Sequence, residues 1–220
     1  MERFKEVLMR CPLFEGIGEE ELMRMLHCRQ AQVMEFDKKY TIMAEGSPAH
    51  YVGIVLTGSV QVTQTDFYGN RSILAVFEPG ELFAEDYSCA EANALPVSVI
   101  AAEPCQIMLF RCSNLLHTCQ NNCGFHQQLI YNLMKNMAQK ALVFHRKLEI
   151  LAKRTTREKL LAYLAGQAQR AGSNYFEIPF DRQELADYLE VDRTGLSAEL
   201  GRLRREGVLD FHRSTFRLLR

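Results

Sequence analysis

The 220-residue sequence lacks several features that would assign it to common functional classes. It has neither a GxGxxG motif nor a Walker-type glycine loop. The absence of these phosphate-binding motifs argues against an α/β nucleotide-binding enzyme. No apolar run approaches the roughly 18–20 residues needed to cross a bilayer. The N-terminus carries charges throughout and has no apolar stretch typical of a signal peptide. We therefore expect a cytoplasmic protein with no membrane partner.

Residues for metal or covalent catalysis are scarce. Between residues 31 and 110 the sequence has a single histidine, His50, whereas a metal-dependent barrel enzyme needs several histidine and carboxylate ligands. We find no pair of residues whose spacing in the sequence supports a catalytic nucleophile with its general base. We predict that the protein is not an enzyme.

The seven cysteines are odd in number and are not spaced as a secreted disulfide framework, which favours a reducing compartment. Cys112, Cys119 and Cys123 lie in one short segment with His117 and His126. Such a group can bind zinc or an iron–sulfur cluster, or its thiols can form a redox disulfide. The spacing fits no standard metal motif, however. The competing interpretation is that these cysteines are small, partly buried residues with a packing role only.

Charge is distributed unevenly along the chain, although the formal net charge is only −1. Residues 153–220 carry 13 Lys and Arg against 10 Asp and Glu, whereas residues 1–152 carry 13 against 17. Only the C-terminal part leans towards nucleic acid, and the excess there is mild.

Short runs that alternate apolar and polar residues follow one another from about residue 31 to residue 110. Turn sequences separate them, such as Thr57-Gly58 and Glu78-Pro79-Gly80. Short strands at this spacing predict an antiparallel sandwich or barrel. The predicted strands are residues 33–36, 51–56, 59–62, 72–77, 97–101 and 105–110.

One long helix is predicted from residue 123 to about residue 152. Its apolar residues recur at alternating spacings of four and three, a heptad stripe that favours a helix dimer. Polar residues such as Asn132, Lys140 and Lys147 flank the stripe. A helix that packs only on its own sheet is the competing interpretation. The stripe consists of Ile130, Met134, Met137, Ala141, Phe144, Leu148 and Leu151.

Two short helices and a turn are predicted in residues 181–207. Asp181 with Glu184 forms a capping-box signal, and Asp192 can cap the second helix. In the second helix, apolar residues recur at helical spacing and leave a polar face with arginines. This arrangement is typical of a helix-turn-helix, whose second helix enters the major groove. The predicted outward residues are Arg193, Thr194, Ser197 and Arg202.

Two alternating runs at 207–211 and 215–219 predict a β-hairpin directly after these helices. A capping box at Thr155 and Glu158 starts another helix, and residues 175–180 predict a strand that precedes the helix-turn-helix. A hairpin with nearby arginines makes the DNA-binding interpretation more specific than the helices alone.

The order of these elements resembles the Crp/Fnr superfamily of bacterial transcription regulators over essentially the whole chain. The motifs TGSVQV, PGELF, KRTTREKLLAYL and RQELADYLEVDRTGLSAEL carry the resemblance. It implies an α+β protein with a jelly-roll-like antiparallel β-barrel that senses an effector (1–122), a dimerisation helix (123–152) and a winged helix-turn-helix domain (153–220).

The resemblance also implies partners. A homodimer would bind a pseudo-palindromic operator in double-stranded DNA, and an activator would also contact RNA polymerase. Arg182 and Gln183 would contact phosphates, and Arg193, Thr194 and Ser197 would contact bases. Family members often have Arg directly after the recognition-helix Ser, where this chain has Ala198, so a bidentate guanine contact is missing there.

The barrel departs from the cyclic-AMP-binding members of the family. In those members a Glu binds the ribose hydroxyl and an Arg-Ser pair binds the cyclic phosphate. Glu85 matches the Glu, but Leu95 and Pro96 fall at the Arg and Ser positions. Neither residue offers the charge that a buried phosphate requires. We therefore do not expect cyclic AMP, and the effector is unknown: a less anionic ligand beside Glu85, Leu95 and Pro96, or none.

The cysteines depart from the iron–sulfur members, which carry most cluster ligands in a tight N-terminal group, because only Cys11 and Cys28 lie early in this chain. An iron–sulfur or redox-thiol cofactor at Cys112, Cys119 and Cys123 is left open. The alternative to DNA binding is a ligand-binding barrel whose C-terminal helices contact protein.

Overall fold

The computed structural model describes residues 2–28, 31–113 and 125–219. Two short 3-10 turns, Glu2–Phe4 and Pro12–Phe14, flank the first helix. No helix of this described part of the chain is both long and apolar enough to span a membrane. The helices are α1 (Lys5–Arg10), α2 (Glu19–Cys28), α3 (Glu85–Cys89), α4 (Phe125–Leu151), α5 (Thr156–Ala171), α6 (Arg182–Leu189) and α7 (Arg193–Arg205).

Eleven strands are seen in the described residues, and they form two four-stranded sheets and one three-stranded sheet. The orders are β1-β8-β3-β6, β2-β7-β4-β5 and β10-β11-β9. β3 pairs antiparallel with β8 and β6, and β7 pairs antiparallel with β2 and β4. The strands are β1 (Gln32–Phe36), β2 (Thr41–Met43), β3 (Tyr51–Thr57), β4 (Val60–Thr65), β5 (Arg71–Phe77), β6 (Leu82–Phe83), β7 (Ser98–Ala101), β8 (Cys105–Arg111), β9 (Tyr175–Glu177), β10 (Leu209–His212) and β11 (Thr215–Leu218).

The chain divides into two compact units. The first comprises residues 1–70 and 74–141, and the second comprises residues 71–73 and 142–220. Helix α4 contributes to both. The predicted α+β class, with N-terminal antiparallel sheets, a long helix and a C-terminal helix-turn-helix, is confirmed.

Strand β3 is buried on both faces, which explains its nearly continuous apolar sequence. Ile54 belongs to a cluster formed with the N-terminal helices and α4. Val55 points the other way, into a second cluster with Val99 of the other four-stranded sheet. Gly53 is required because the Phe83 ring fills the space that a Cβ atom would take. The first unit is therefore layered as helices, sheet and sheet.

Helix α4 packs one face on the first unit and leaves another exposed. Leu129 and Leu133 are buried in the cluster with the N-terminal helices. The Asn132 side-chain amide donates to the carbonyl oxygens of Leu13 and Glu15, at 3.0 and 2.7 Å. The interpretation of Asn132 as a polar flank of the dimer stripe was therefore wrong. The Asn132 side chain anchors the helix to the N-terminal segment instead.

Most of the predicted heptad stripe lies on the exposed face of α4. Met134 and Leu148 are 62% and 63% exposed. Met137 and Leu151 are half-buried instead, and Met137 packs against the helical cluster of the first unit. Lys147, expected as another polar flank, is buried, and its ammonium lies 4.1 Å from the centre of the Tyr188 ring.

The strand pattern was predicted well, with three short elements missed. β2, β6 and α3 have five residues or fewer, too few to show a period. The strand expected at 175–180 ends at Glu177, because Pro179 follows closely and has no N–H to donate to a ladder. Both predicted capping boxes, Thr155 with Glu158 and Asp181 with Glu184, are present.

Candidate nucleic-acid interface and barrel site

Helices α6 and α7 meet at a short turn that their sequence sets. Glu190 ends α6 in a left-handed conformation at φ 52°. The Asp192 carboxylate then accepts a hydrogen bond from the Gly195 N–H at 2.6 Å and caps α7. A cap of this kind satisfies an otherwise free N–H at the helix start and fixes the direction in which α7 leaves the turn.

The two faces of α7 differ as the sequence predicted. Leu196, Leu200 and Leu203 are buried. Four neighbouring residues near the start of the helix are exposed: Arg193, Thr194, Ser197 and Ala198. Arg193 forms no ion pair with another described residue. This end of the helix therefore offers one uncommitted guanidinium and two hydroxyls to a ligand.

An ion-pair network fixes α7 to α5. Glu199 is buried in α7, and its carboxylate contacts Arg157 of α5 at 3.3 Å and Arg202 at 2.9 Å. Arg157 also contacts Glu206 at 2.6 Å, and these hydrogen bonds raise the pKa of the Arg157 guanidinium. Arg202 is exposed as predicted, but part of its charge is used inside the protein.

Arg182 and Gln183 begin α6 and were expected to contact phosphates. The Arg182 guanidinium lies 5.1 Å from the Phe211 ring centre and donates to the Arg213 carbonyl oxygen at 3.3 Å. Its partial burial lowers the pKa of Arg182. Gln183 is exposed, and its amide donates to Asp187 at 2.7 Å. Arg182 thus joins α6 to the hairpin, whereas Gln183 faces solvent.

The predicted hairpin is formed by β10 and β11, with Leu209 opposite Leu218 and His212 opposite Thr215. β9 pairs with β11 and extends the hairpin to three strands. Arg213 lies in its turn at φ 54°. Arg213 and Arg217 are exposed and form no ion pair with another described residue.

Arg204 is different from these hairpin arginines. It contacts Asp210 at 2.7 Å, and its guanidinium lies 4.0 Å from the Phe211 ring centre. The positive charge that the sequence concentrates near α7 is thus partly neutralised within the domain.

The first unit contains a buried acidic site at the start of α3. Glu85 is 1% exposed, and the Lys140 ammonium of α4 lies 2.5 Å from its Oε1 atom. The same ammonium donates to the Leu82 carbonyl oxygen at 2.6 Å and lies 4.3 Å from the centre of the Phe77 ring. The approach to Oε1 lies outside hydrogen-bond geometry, so both carboxylate oxygens keep unused acceptor capacity.

Leu95 and Pro96, the other two barrel residues expected near an effector, differ in burial. Leu95 is 2% exposed, and its backbone N–H and carbonyl pair with Ser47 and Gly46. Pro96 is exposed. The cation that compensates Glu85 comes from the long helix instead.

The sequence did contain a signal for Lys140. Leu129, Leu133, Asn136 and Lys140 follow spacings of four, three and four, so they form a second stripe beside the predicted dimer stripe. Asn136 is buried and Lys140 is mostly buried. Polar residues on this second stripe face the first unit, so Lys140, which was predicted only as a polar flank of the dimer stripe, pairs with Glu85 instead.

The predicted cysteine group falls only partly within the described residues. Cys119, Cys123 and His117 lie outside them. Cys112 is buried, and its sulfur lies 3.1 Å from the Cys89 sulfur of α3. Over residues 2–28, 31–113 and 125–219, no group of three metal-ligating side chains could hold an ion. Metal binding by Cys112, Cys119 and Cys123 stays a prediction that metal analysis of anaerobically purified protein tests.

Two family models match the chain. One, described as a cyclic nucleotide-binding domain, matches residues 33–122. The other, described as a Crp-like helix-turn-helix domain, matches residues 158–220. The first covers most of the sheets and α3, and the second covers most of α5 together with α6, α7 and the hairpin.

Relatives with similar sequences are transcription regulators. The chain is 25% identical over 180 residues to the transcriptional activator protein FnrL of Cereibacter sphaeroides, which covers 77% of this chain and 68% of FnrL. It is 26% identical over 80 residues to the CRP-like cAMP-activated global transcriptional regulator of Mycobacterium tuberculosis. That match spans only 36% of this chain and 35% of the relative.

A solved structure shares the fold. FixK2 of Bradyrhizobium japonicum has a TM-score of 0.69 and 24% sequence identity, and the match covers 86% of this chain and 93% of FixK2.

Proposed function

The chain belongs to the Crp/Fnr superfamily of transcription regulators, and on that premise we propose that it acts as a homodimer on a specific pseudo-palindromic operator. The observation that carries the proposal is the exposed start of α7, where Arg193, Thr194 and Ser197 stand together on a capped, well-anchored helix. The first residues of a recognition helix are the ones that reach base edges in the major groove.

Base and backbone contacts are divided between two surfaces. Arg193 and Ser197 on α7 read bases, while Gln183 and the hairpin arginines Arg213 and Arg217 hold phosphates. Arg182 acts mainly by joining α6 to the hairpin, since its guanidinium is already packed on Phe211. Arg202 serves both the Glu199 network and a nearby phosphate.

Selection of bound duplexes from a random-sequence library tests this division. We expect enrichment of a pseudo-palindromic site whose half-sites lie about 10 base pairs apart. Arg193→Ala should change the enriched sequence, whereas Arg217→Ala should keep the sequence and weaken binding to all duplexes. Loss of sequence preference in Arg217→Ala but not in Arg193→Ala would contradict the assignment.

The dimer contact is proposed along the exposed apolar face of α4. Met134, Phe144 and Leu148 are exposed there, although side chains of this kind are normally covered. A second copy of the same stripe would cover them as a two-helix interface. Leu148→Glu should give a monomer in light scattering, whereas Tyr131→Glu, at an exposed position off the stripe, should stay dimeric.

The Glu85–Lys140 pair supports a coupling between the barrel and the long helix. The positive charge of Lys140, on α4, neutralises the buried Glu85 carboxylate at the start of α3. An effector that takes the Glu85 carboxylate as a hydrogen-bond acceptor would compete with Lys140 and release this point of α4.

Cyclic AMP does not suit this site, because Leu95 and Pro96 offer its phosphate no positive charge. Calorimetry with cyclic AMP should register no binding, and submillimolar affinity would contradict this. The proposed site of action is the cytoplasm, with RNA polymerase as a further partner if the protein activates transcription.

A further inference from the structure

Two cysteines that lie 23 positions apart in the sequence meet in the first unit. The Cys89 sulfur, at the end of α3, lies 3.1 Å from the Cys112 sulfur, just beyond β8. A disulfide bond needs about 2.05 Å, so the two sulfurs have about 1 Å left to close. Cys112 is buried and Cys89 is partly exposed, which leaves the pair accessible from one side.

Neighbouring backbone groups hold both cysteines in position. The Cys112 N–H donates to the His50 carbonyl oxygen at 3.0 Å. The Ser88 hydroxyl, beside Cys89, donates to the Tyr51 carbonyl oxygen at 2.8 Å. Because His50 and Tyr51 are consecutive, one short stretch of chain positions both thiols. These two hydrogen bonds therefore hold the chain segments that carry Cys89 and Cys112 against the same stretch of chain.

The thiols of this pair differ from the other cysteines of the described chain. The hydrogen bond between them lowers the pKa of Cys112 and raises that of Cys89. Burial alone raises the pKa of Cys105, and burial raises that of Cys11 to about 12. Since the thiolate is the reactive form, the hydrogen bond between the two sulfurs favours a reactive thiolate in this pair over one at Cys11 or Cys105.

We propose that Cys89 and Cys112 are a reversible redox pair that a hydroperoxide oxidises to a disulfide. One thiolate of the pair attacks the peroxide, a sulfur–oxygen bond forms as the oxygen–oxygen bond breaks, and an alcohol or water leaves after protonation. The second sulfur of the pair then attacks the sulfenic sulfur. The sulfur–sulfur bond forms, the sulfur–oxygen bond breaks, and water leaves with the proton of the second thiol. A dithiol reductant reverses the reaction by thiol–disulfide exchange.

The bond would tie α3 to the end of β8. Helix α3 begins with Glu85, whose carboxylate is paired with Lys140 of the long helix. Oxidation therefore acts on the same short helix that carries the buried acid. The redox chemistry itself stands apart from DNA binding, and only a regulatory effect of the bond would depend on the proposed function.

Peptide mapping of the full-length protein tests the pair directly. The reduced protein is treated with hydrogen peroxide, remaining thiols are alkylated, and the protein is digested with trypsin and Glu-C. Cleavage then separates residues 86–91, which contain Cys89 alone, from residues 112–135. We expect one linked peptide that joins these two segments, fragmentation that assigns the link to Cys112, and loss of the link after dithiothreitol.

Matched variants complete the test. Cys105→Ser, which removes a buried thiol outside the pair, should leave the link unchanged, whereas Cys89→Ser and Cys112→Ser should each abolish it. A wild-type link from Cys89 to Cys119 or Cys123 would overturn the proposal. So would oxidation of Cys89 or Cys112 to sulfinic acid without any link. Both outcomes are read from the wild-type digest and do not depend on a variant that folds.

Discussion

Removing the Lys140 ammonium should destabilise the first unit more than removing any exposed charge on the same helix does. Lys140→Met keeps most of the aliphatic chain beside Phe77 but leaves the Glu85 carboxylate buried without a cation. Breaking a buried pair from one side costs about 3–5 kcal/mol. Because the Lys140 side chain is 20% exposed, some water reaches the site, and the lower end, about 3 kcal/mol, is expected.

Two further variants separate the free energy of the Glu85–Lys140 interaction from the contribution of each charge alone. Glu85→Gln leaves the ammonium with the Leu82 carbonyl and partial solvent, so it should cost about 1–2 kcal/mol. The double variant Glu85→Gln/Lys140→Met removes both charges and should lie within about 1 kcal/mol of Glu85→Gln alone. The resulting coupling free energy, about 2 kcal/mol or more, is the energetic signature of the ion pair.

Urea unfolding followed by far-ultraviolet circular dichroism measures these differences. With a slope of about 1–3 kcal/mol per molar urea, Lys140→Met should lower the midpoint by at least about 1 M. The matched control is Lys135→Met, which breaks the exposed pair with Glu15 and should cost less than about 1 kcal/mol. Equal losses in Lys140→Met and Lys135→Met would refute the internal ion pair.

Three further predictions concern the C-terminal part of the chain. Ala198→Arg should move the selected operator towards guanine, since a bidentate contact is worth about 1–3 kcal/mol, and an unchanged selected sequence would contradict this. Asp192→Ala should cost about 1 kcal/mol in thermal unfolding because the α7 cap is lost, whereas Asp187→Ala, which caps no helix, should cost less. Burial lowers the pKa of Lys147 to about 8, below its ordinary 10.5. Between pH 8 and pH 10.5 the unfolded chain keeps the Lys147 proton and the folded chain has lost it. The free energy of unfolding should therefore rise with pH over this range in the wild type, relative to Lys147→Met. Parallel pH profiles of the two proteins would exclude this.

The C-terminal domain was read well from the sequence because local signals specify it. Capping boxes, helical spacing and an alternating hairpin all act over a few residues, and each is present where the pattern indicates. Asp192 was predicted as a cap from its position alone, and its carboxylate does cap α7.

The barrel site was read less well because its contacts are distant in sequence. Lys140 meets Glu85 across 55 positions of chain, and Cys89 meets Cys112 across 23. No local period links such residues. The cysteine group predicted at residues 112–123 therefore did not include Cys89, whose partner is set by the fold of β3, α3 and β8.

Binding of the full-length protein to a library-selected duplex, measured by fluorescence anisotropy at several salt concentrations, tests the central claim most directly. DNA binding through phosphate contacts releases counterions, so the logarithm of affinity should fall linearly with the logarithm of salt concentration. Arg217→Ala should reduce that slope by about 1. Failure to enrich any duplex, or an affinity independent of salt, would contradict DNA binding and favour protein contacts by the C-terminal helices.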